Sequence, residues 1–371
     1  MLNTPILVIG ATGYIGGEFL ARFFKHPDIN EYEITCYVRS ADKAKLLESK
    51  FGVHTAVGSF RELEKIEILA ENAHIIINLG DSDDDELTRA FLRGLHKRHE
   101  KLGDVPIFIH TSGTGTLTDS GRGVRDSDII YSDLNIEQIK SIPDTAVHRN
   151  VDGLIAREDA KGYFRGYIIV PSTVYAIAKN PLVEAGIANA HSVQIPMFIR
   201  AALKRKRAGM VGLGKGTMLD IHIEDLSELY IVVFDAIAAA TAGHGWEGFY
   251  FAENGEHNWY QIARAIGEAM LDLRLTDNAE PTSFKAPEEL VDAFGLEEYG
   301  WYHGCNGRAR ADRARALGWK AKYTTADMLA SVRPEVEYWA KRHAEGSLTG
   351  RENKLDESWV GVVRQLRASN K

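Results

Sequence analysis

The chain is poor in cysteine, has no long hydrophobic run and carries no excess of positive charge, and each absence removes a class of protein. Its 371 residues include two cysteines. Cys36 falls in a run that reads as a buried strand, so no disulfide framework is expected and a reducing compartment, the cytoplasm, is. No uninterrupted apolar stretch reaches the ~18 residues needed to cross a bilayer, and the first apolar segment is too short for a secretory signal. Basic residues number 44 against 52 acidic ones, for a net charge of −8. Nucleic acid and anionic membrane are therefore not expected partners, and Lys204-Arg205-Lys206-Arg207 reads as an exposed helix end. There is no internal repeat and no low-complexity tract. The acidic run Asp81 to Glu86 has no histidine or further carboxylate at a supporting spacing. It reads as a solvated helix N-terminus rather than a metal site, and no metal is expected.

What is present is concentrated in the first seventeen residues. Ile6-Leu7-Val8-Ile9 reads as a buried parallel strand, and Gly10-Ala11-Thr12-Gly13-Tyr14-Ile15-Gly16-Gly17 follows at once. The helical pattern Phe19, Leu20, Phe23, Phe24 comes next. Gly10, Gly13 and Gly16 stand where a strand turns sharply into a helix, so a pyrophosphate can approach the backbone of Thr12 to Ile15 and the dipole end of the helix. The second strand, Tyr32 to Val38, runs into Arg39-Ser40 with Lys43 a turn later. An NAD-binding chain places an acid at that tip. Arg39 instead offers a planar fork of donors suited to a phosphate dianion, with Ser40 and Lys43 in support, so NADP(H) is expected ahead of NAD.

The following strands are expected to bring more cofactor-binding residues to the same crevice. His54 to Ser59 is the third, with Ser59 and Phe60 near the adenine. Ala73 to Gly80 is the fourth, with Gly80 and Asp81 at its end. Val105 to His110 is the fifth, delivering Thr111, Ser112 and Thr114. Gly166 to Val170 is the sixth, ending in Pro171-Ser172-Thr173-Val174-Tyr175. Between the last two lie a polar stretch (about 113 to 135) and a helix pattern from Ala146 to Glu158.

The G-x-x-G-x-x-G spacing resembles the short-chain dehydrogenase/reductase superfamily. Pro171 to Tyr175, His222-Ile223-Glu224-Asp225-Leu226 and Leu317-Gly318-Trp319 occur in the order of its extended branch, which includes nucleotide-sugar epimerases and dehydratases. The chain is most similar there to fungal NAD(P)-binding proteins of the epimerase and NmrA-like type. The resemblance implies an α/β fold: a doubly wound parallel (Rossmann) sheet with a smaller, mostly helical C-terminal substrate lobe. Residues 1–175, with returning segments about 212–250 and 301–320, would form the dinucleotide domain, and 176–371 a discontinuous substrate lobe. Substrate-facing residues would come from the loop after Tyr175, from Ser192 to Pro196 and from His303 to Arg310.

Reductases of this class use a tyrosine as proton donor, a lysine four residues later to lower its pKa, and a Ser or Thr to hold the substrate oxygen. Counting back from Pro171, the tyrosine and lysine positions fall near Asp144 and His148, so neither residue is present. His148 titrates near neutrality and can replace the phenol, with Asp144 to orient it or to cap the helix. A literal Tyr-x-x-x-Lys match, Tyr175 to Lys179, lies after the sixth strand with Asn180-Pro181 behind it, poorly placed for a regular helix. Ser112 and Thr114 stand where the oxygen-holding residue belongs. Tyr131 has no assigned place. Three readings follow: an NADP(H)-dependent oxidoreductase acting on a small carbonyl or hydroxyl compound, a redox sensor without turnover, or a non-redox isomerase or epimerase. The expected partner is a small-molecule substrate, with a homodimer allowed.

Overall fold

The computed structural model describes residues 3–346. Its centre is a seven-stranded parallel sheet, whose strands alone are numbered here: β1 (Thr4–Ile9), β2 (Tyr32–Val38), β3 (His54–Val57), β4 (Ile75–Asn78), β5 (Ile107–Thr111), β6 (Arg165–Pro171) and β7 (Phe249–Ala252). Their order across the sheet is β7-β6-β5-β4-β1-β2-β3. Every pairing in it is parallel. β4 and the end of β1 are buried on both faces, as strands covered by helices on either side must be. The order reverses between β1 and β4, so a crevice opens at their carboxyl ends.

Helices begin and end on local signals. Ser40 caps the Ala41–Phe51 helix, which stops at Gly52 with φ 68°. Asp84 caps Asp85–Leu102, which stops at Gly103 with φ 70°. The Tyr14–Phe23 helix packs on Ile223–Ala238 through Phe23 and Phe234, edge to face at 5.0 Å. The motif beginning at His222 has a structural meaning: Asp225 accepts N–H bonds from Lys322 and Tyr323, both at 2.9 Å, and its carbonyl accepts the Trp319 indole at 3.0 Å. The His222 and Trp319 segments are thus bonded to each other.

A second hydrophobic cluster lies apart from the sheet. Phe198, Trp259, Phe294, Met328 and Trp339 form it, carried by the Gln194–Arg205, Trp259–Asp272, Pro287–Phe294 and Thr325–Ala344 helices. Residues 347–371 of the expected substrate lobe lie outside the described residues. Thr173–Tyr175 leaves the main sheet to pair with Asp220 to His222, so the segment after β6 is partly strand rather than loop. The polar stretch before it is not structureless either. Ile130–Ser132 pairs with Arg308–Arg310, which puts Tyr131 against the main core. The helix expected from Ala146 starts at Arg149, because His148 stands before it in a left-handed conformation with φ 67°. No helix among the described residues is long and apolar enough to cross a membrane.

Candidate active site

The glycine loop is a backbone cradle. Gly10 has φ +80°, and a β-carbon there would stand 2.3 Å from the Leu79 carbonyl oxygen. One on Gly16 would stand 2.0 Å from the Gly10 oxygen. Neither position admits a side chain. Gly13 differs: its β-carbon would meet only the Gly10 oxygen, at 3.2 Å, so the space beside it is the cleft itself. The helix that begins at Tyr14 has no side-chain cap and no acid in its first turn. Its first N–H groups are left for an anion, and the loop fits a dinucleotide pyrophosphate. The Tyr14 hydroxyl reaches the Tyr175 and Ala176 carbonyls, at 2.9 and 2.6 Å, tying the loop to the segment after β6.

A cleft of about 410 Å³ opens at this point. Of the residues singled out in the sequence, Gly13, Tyr14, Ile15, Gly80, Asp81, Thr111, Ser112, Thr114, His148, Pro171 and Thr173 line it. Gly10, Thr12 and Gly16 shape the loop without lining the cleft. Arg39, Ser40, Lys43, Ser59 and Phe60 also lie outside that lining, around the tips of β2 and β3. Arg39 is exposed. The Ser40 hydroxyl is engaged with the Lys43 N–H at 3.3 Å. Burial and the Arg39 charge both hold the Lys43 pKa below its usual value. Ser59 is exposed and accepts the Tyr37 hydroxyl on its carbonyl at 2.7 Å, while the Phe60 ring lies near-parallel to Tyr37 and against Gly80.

The acidic run departs most from its expectation. Asp84 is the helix cap; Asp81, read at the end of the fourth strand, lines the cleft and is 5% exposed, and Asp83, for which no place in the site was expected, is 3% exposed. Asp83 holds the His148 ring, both carboxylate oxygens 3.0 Å from Nδ1, and accepts the His148 backbone N–H at 3.1 Å. Ser82 donates to Asp83 at 2.8 Å. Burial opposes charge on both partners, yet their mutual attraction prevails: Asp83 is held below the usual carboxylate range and His148 above the usual imidazole value. The His148 Nε2 edge faces Gly113 and Gly115, where β-carbons would stand 2.9 and 3.0 Å from it.

A second chain of contacts lies beneath. Asn78 accepts the Gly80 N–H on its side-chain oxygen at 3.1 Å, so its amide donates to His110 Nδ1, also at 3.1 Å. His110 then carries its proton on Nε2, facing Asp152 Oδ1 at 3.8 Å. The other Asp152 oxygen accepts the Ser112 hydroxyl at 2.7 Å. Burial pushes Asp152 up to about 7, as it does Asp81, and holds His110 down to about 3. An acid whose folded pKa is raised contributes stability fully present below its unfolded value of ~3.9, and loses it as pH rises through the folded one. The Asp152→Asn variant should therefore gain melting temperature relative to wild type between pH 5 and pH 8, by about 2 °C or more in scanning calorimetry. A difference that stays constant with pH would remove the claim of a raised Asp152 pKa.

The structure does not bring Tyr175 into the cleft. Its side chain is 1% exposed, and its hydroxyl donates to the Thr324 carbonyl at 3.0 Å. Burial and the nearby Asp220, Asp327 and Asp225 charges push its pKa up, opposite to the shift a proton donor needs. Asp144 is exposed, near Arg157, and does not orient His148. The i,i+4 pair that points inward from the helix start is His148 and Asp152, one turn later than the count from Pro171. Ser192, Val193 and Gln194 line the cleft as expected, but from the last segment Tyr299 and Tyr302 do so in place of His303 to Arg310. Asp83, Asp152 and His110 were missed. Asp152 had a signal in its spacing from His148, whereas the folding of a solvated-looking acidic run back onto His148 had none.

Many solved structures match this chain over most of its length, two of them as follows. One is the UDP-glucuronic acid 4-epimerase of Bacillus cereus, in complex with UDP-glucuronic acid and NAD, with TM-score 0.62 and 14% identity over 91% of this chain and 100% of that one. The other is the dTDP-glucose 4,6-dehydratase of Bacillus anthracis, in complex with NAD, with TM-score 0.57 and 14% identity over 91% and 97%. The chain therefore has the Rossmann fold of the epimerases and dehydratases. No family model matches it. In sequence it is similar to the oxidase ucsJ of Acremonium sp, 29% identical over 339 residues that span 86% of this chain and 93% of that protein.

Proposed function

We propose that the protein is a nicotinamide-dinucleotide-dependent oxidoreductase of the extended short-chain dehydrogenase type, acting on a small carbonyl or hydroxyl compound. One observation carries this reading: an uncapped glycine-loop helix and a histidine oriented by a buried aspartate converge on one cleft. The cofactor would lie along Gly13 to Ile15, past Gly80 and Thr111, to Pro171 and Thr173. A bound nicotinamide supplies or accepts hydride. The chain's own residues handle the proton. Asp83 fixes the His148 ring and stabilises its charged form, so that His148 gives a proton to the substrate oxygen or takes one from it. When Asp152, raised to about 7, holds a proton and gives it to Ser112 Oγ, the Ser112 hydroxyl is released to donate to that oxygen. The two hydrophobic clusters support a division into a dinucleotide domain (1–175 with returning segments) and a substrate lobe.

Preference for NADP(H) rests on Arg39 beside Lys43, a cationic pair at the tip of β2 suited to a phosphate. Calorimetric titration should show NADPH binding at least about tenfold tighter than NADH, or ~1.4 kcal/mol, with most of the gap erased by Arg39→Ala. Equal affinities in the unmutated protein would exclude the preference. The missing Tyr-x-x-x-Lys pair favours one alternative, a dinucleotide sensor. Tight NADPH binding without oxidation of NADPH by any of a broad panel of aldehydes and ketones would support it.

A further inference from the structure

Besides the glycine loop, the cleft is walled by Val147, Val193, Met218, Tyr299 and Tyr302, with polar groups from Ser112, His148 and Gln194. Among the described residues, none that lines the cleft is lysine or arginine. Arg149 and Arg200, among the arginines nearest in sequence to this wall, each lie 5.0 Å over a tryptophan ring, Trp246 and Trp339 respectively. Arg308 is bidentate to Glu256 at 2.9 and 2.8 Å, Arg310 pairs with Asp312, and Arg122 lies 4.8 Å over the Trp301 ring. The buried carboxyls are close by: Asp81 lines the cleft and Asp83 lies behind His148. The Gln194–Arg205 helix also begins at this wall. Its first turn contains Pro196, which has no N–H to offer, so it is a poorer anion receptor than the glycine loop.

A diphosphate or carboxylate placed here would lose its hydration without gaining a cation, and would face carboxyl groups. An uncharged ring system loses nothing of that kind and covers apolar wall. We infer that the substrate is a neutral carbonyl or alcohol with an apolar, ring-sized body, its one oxygen held at Ser112 and His148, and that sugar nucleotides, which the fold's solved relatives bind, are excluded. Tyr299 and Tyr302, near-parallel to each other at 5.8 Å, supply aromatic wall for the ring. The inference rests on the oxidoreductase reading and narrows it.

The test is a matched pair of ketones, 4-acetylbenzoate and its methyl ester, titrated calorimetrically into protein saturated with NADP⁺, where neither can be reduced. The ester should bind at least about tenfold tighter than the anion, and UDP-glucose should show no saturable heat up to about 1 mM. Val193→Arg places a cation at a cleft position that is 43% exposed, so it disturbs no core packing. It should reverse the preference within the pair while leaving NADP⁺ affinity unchanged. Equal or tighter binding of 4-acetylbenzoate, saturable binding of UDP-glucose, or no saturable heat from the ester would each overturn the assignment. Failure of the oxidoreductase reading looks different: NADP⁺ and NADPH would not bind, or the ester would bind and NADPH would not reduce it.

Discussion

His148→Phe should lower turnover by roughly 10²–10⁴, with little change in dinucleotide affinity, the usual worth of a positioned acid or base. The ring is held by Asp83 at 3.0 Å and sits where the Gly113 and Gly115 backbones leave space for it. Phenylalanine fills a similar volume, so the loss is one of proton chemistry rather than packing. The pH dependence gives a second readout. The Asp83 charge and hydrogen bond raise the His148 pKa against the opposing effect of burial. In the reducing direction, the rate should fall as pH rises through that value. Asp83→Asn removes the raising influence, and the fall should move to lower pH. Tyr175→Phe should cost little by comparison, since that hydroxyl is spent on the Thr324 carbonyl. If Tyr175→Phe abolished turnover and His148→Phe did not, the proton chemistry would belong to Tyr175 and Lys179 instead.

Gly13→Val should abolish dinucleotide binding while leaving the melting temperature of the ligand-free protein within a few degrees of wild type. The contrast among the loop glycines explains why. A side chain on Gly10 or Gly16 drives into backbone, and substitution there should damage folding. At Gly13 the β-carbon meets only one carbonyl oxygen, at 3.2 Å, and the branched methyls of valine project into the cleft. Fluorescence titration with NADPH reads the binding, and calorimetry reads the fold. A variant that binds NADPH normally would show that this loop is not the phosphate cradle.

The main sheet was legible because its determinants are local. β1, β2, β4, β5 and β6 are short apolar runs bounded by glycine, proline or polar residues, and each appears within a few residues of its expected place. The glycine loop was legible for the same reason: steric demands on Gly10 and Gly16 arise within a dozen residues or across one strand. The His148 side of the cleft was not, because its contacts join distant segments. Asp83 meets His148 across 65 residues and Ser112 meets Asp152 across 40. Nothing in the spacing of Asp81 to Glu86 distinguishes the carboxylate that caps a helix from the one that turns inward. The helix start also slipped by a few residues, because a histidine with φ 67° breaks the periodic pattern that would have placed it.

Gly113 and Gly115 have an evolutionary consequence. Gly113 is in extended backbone that any residue adopts, so a change to alanine there is a single-nucleotide step with no backbone strain against it. The added methyl would arrive 2.9 Å from His148 Nε2, so the imidazole would have to give way. With the roles proposed for His148 and the glycine loop, catalysis and cofactor capture are separable by one carbon atom. A lineage with this architecture can pass from enzyme to nucleotide sensor without first losing its fold, and the small residues beside the histidine are where the trace of that passage would be written.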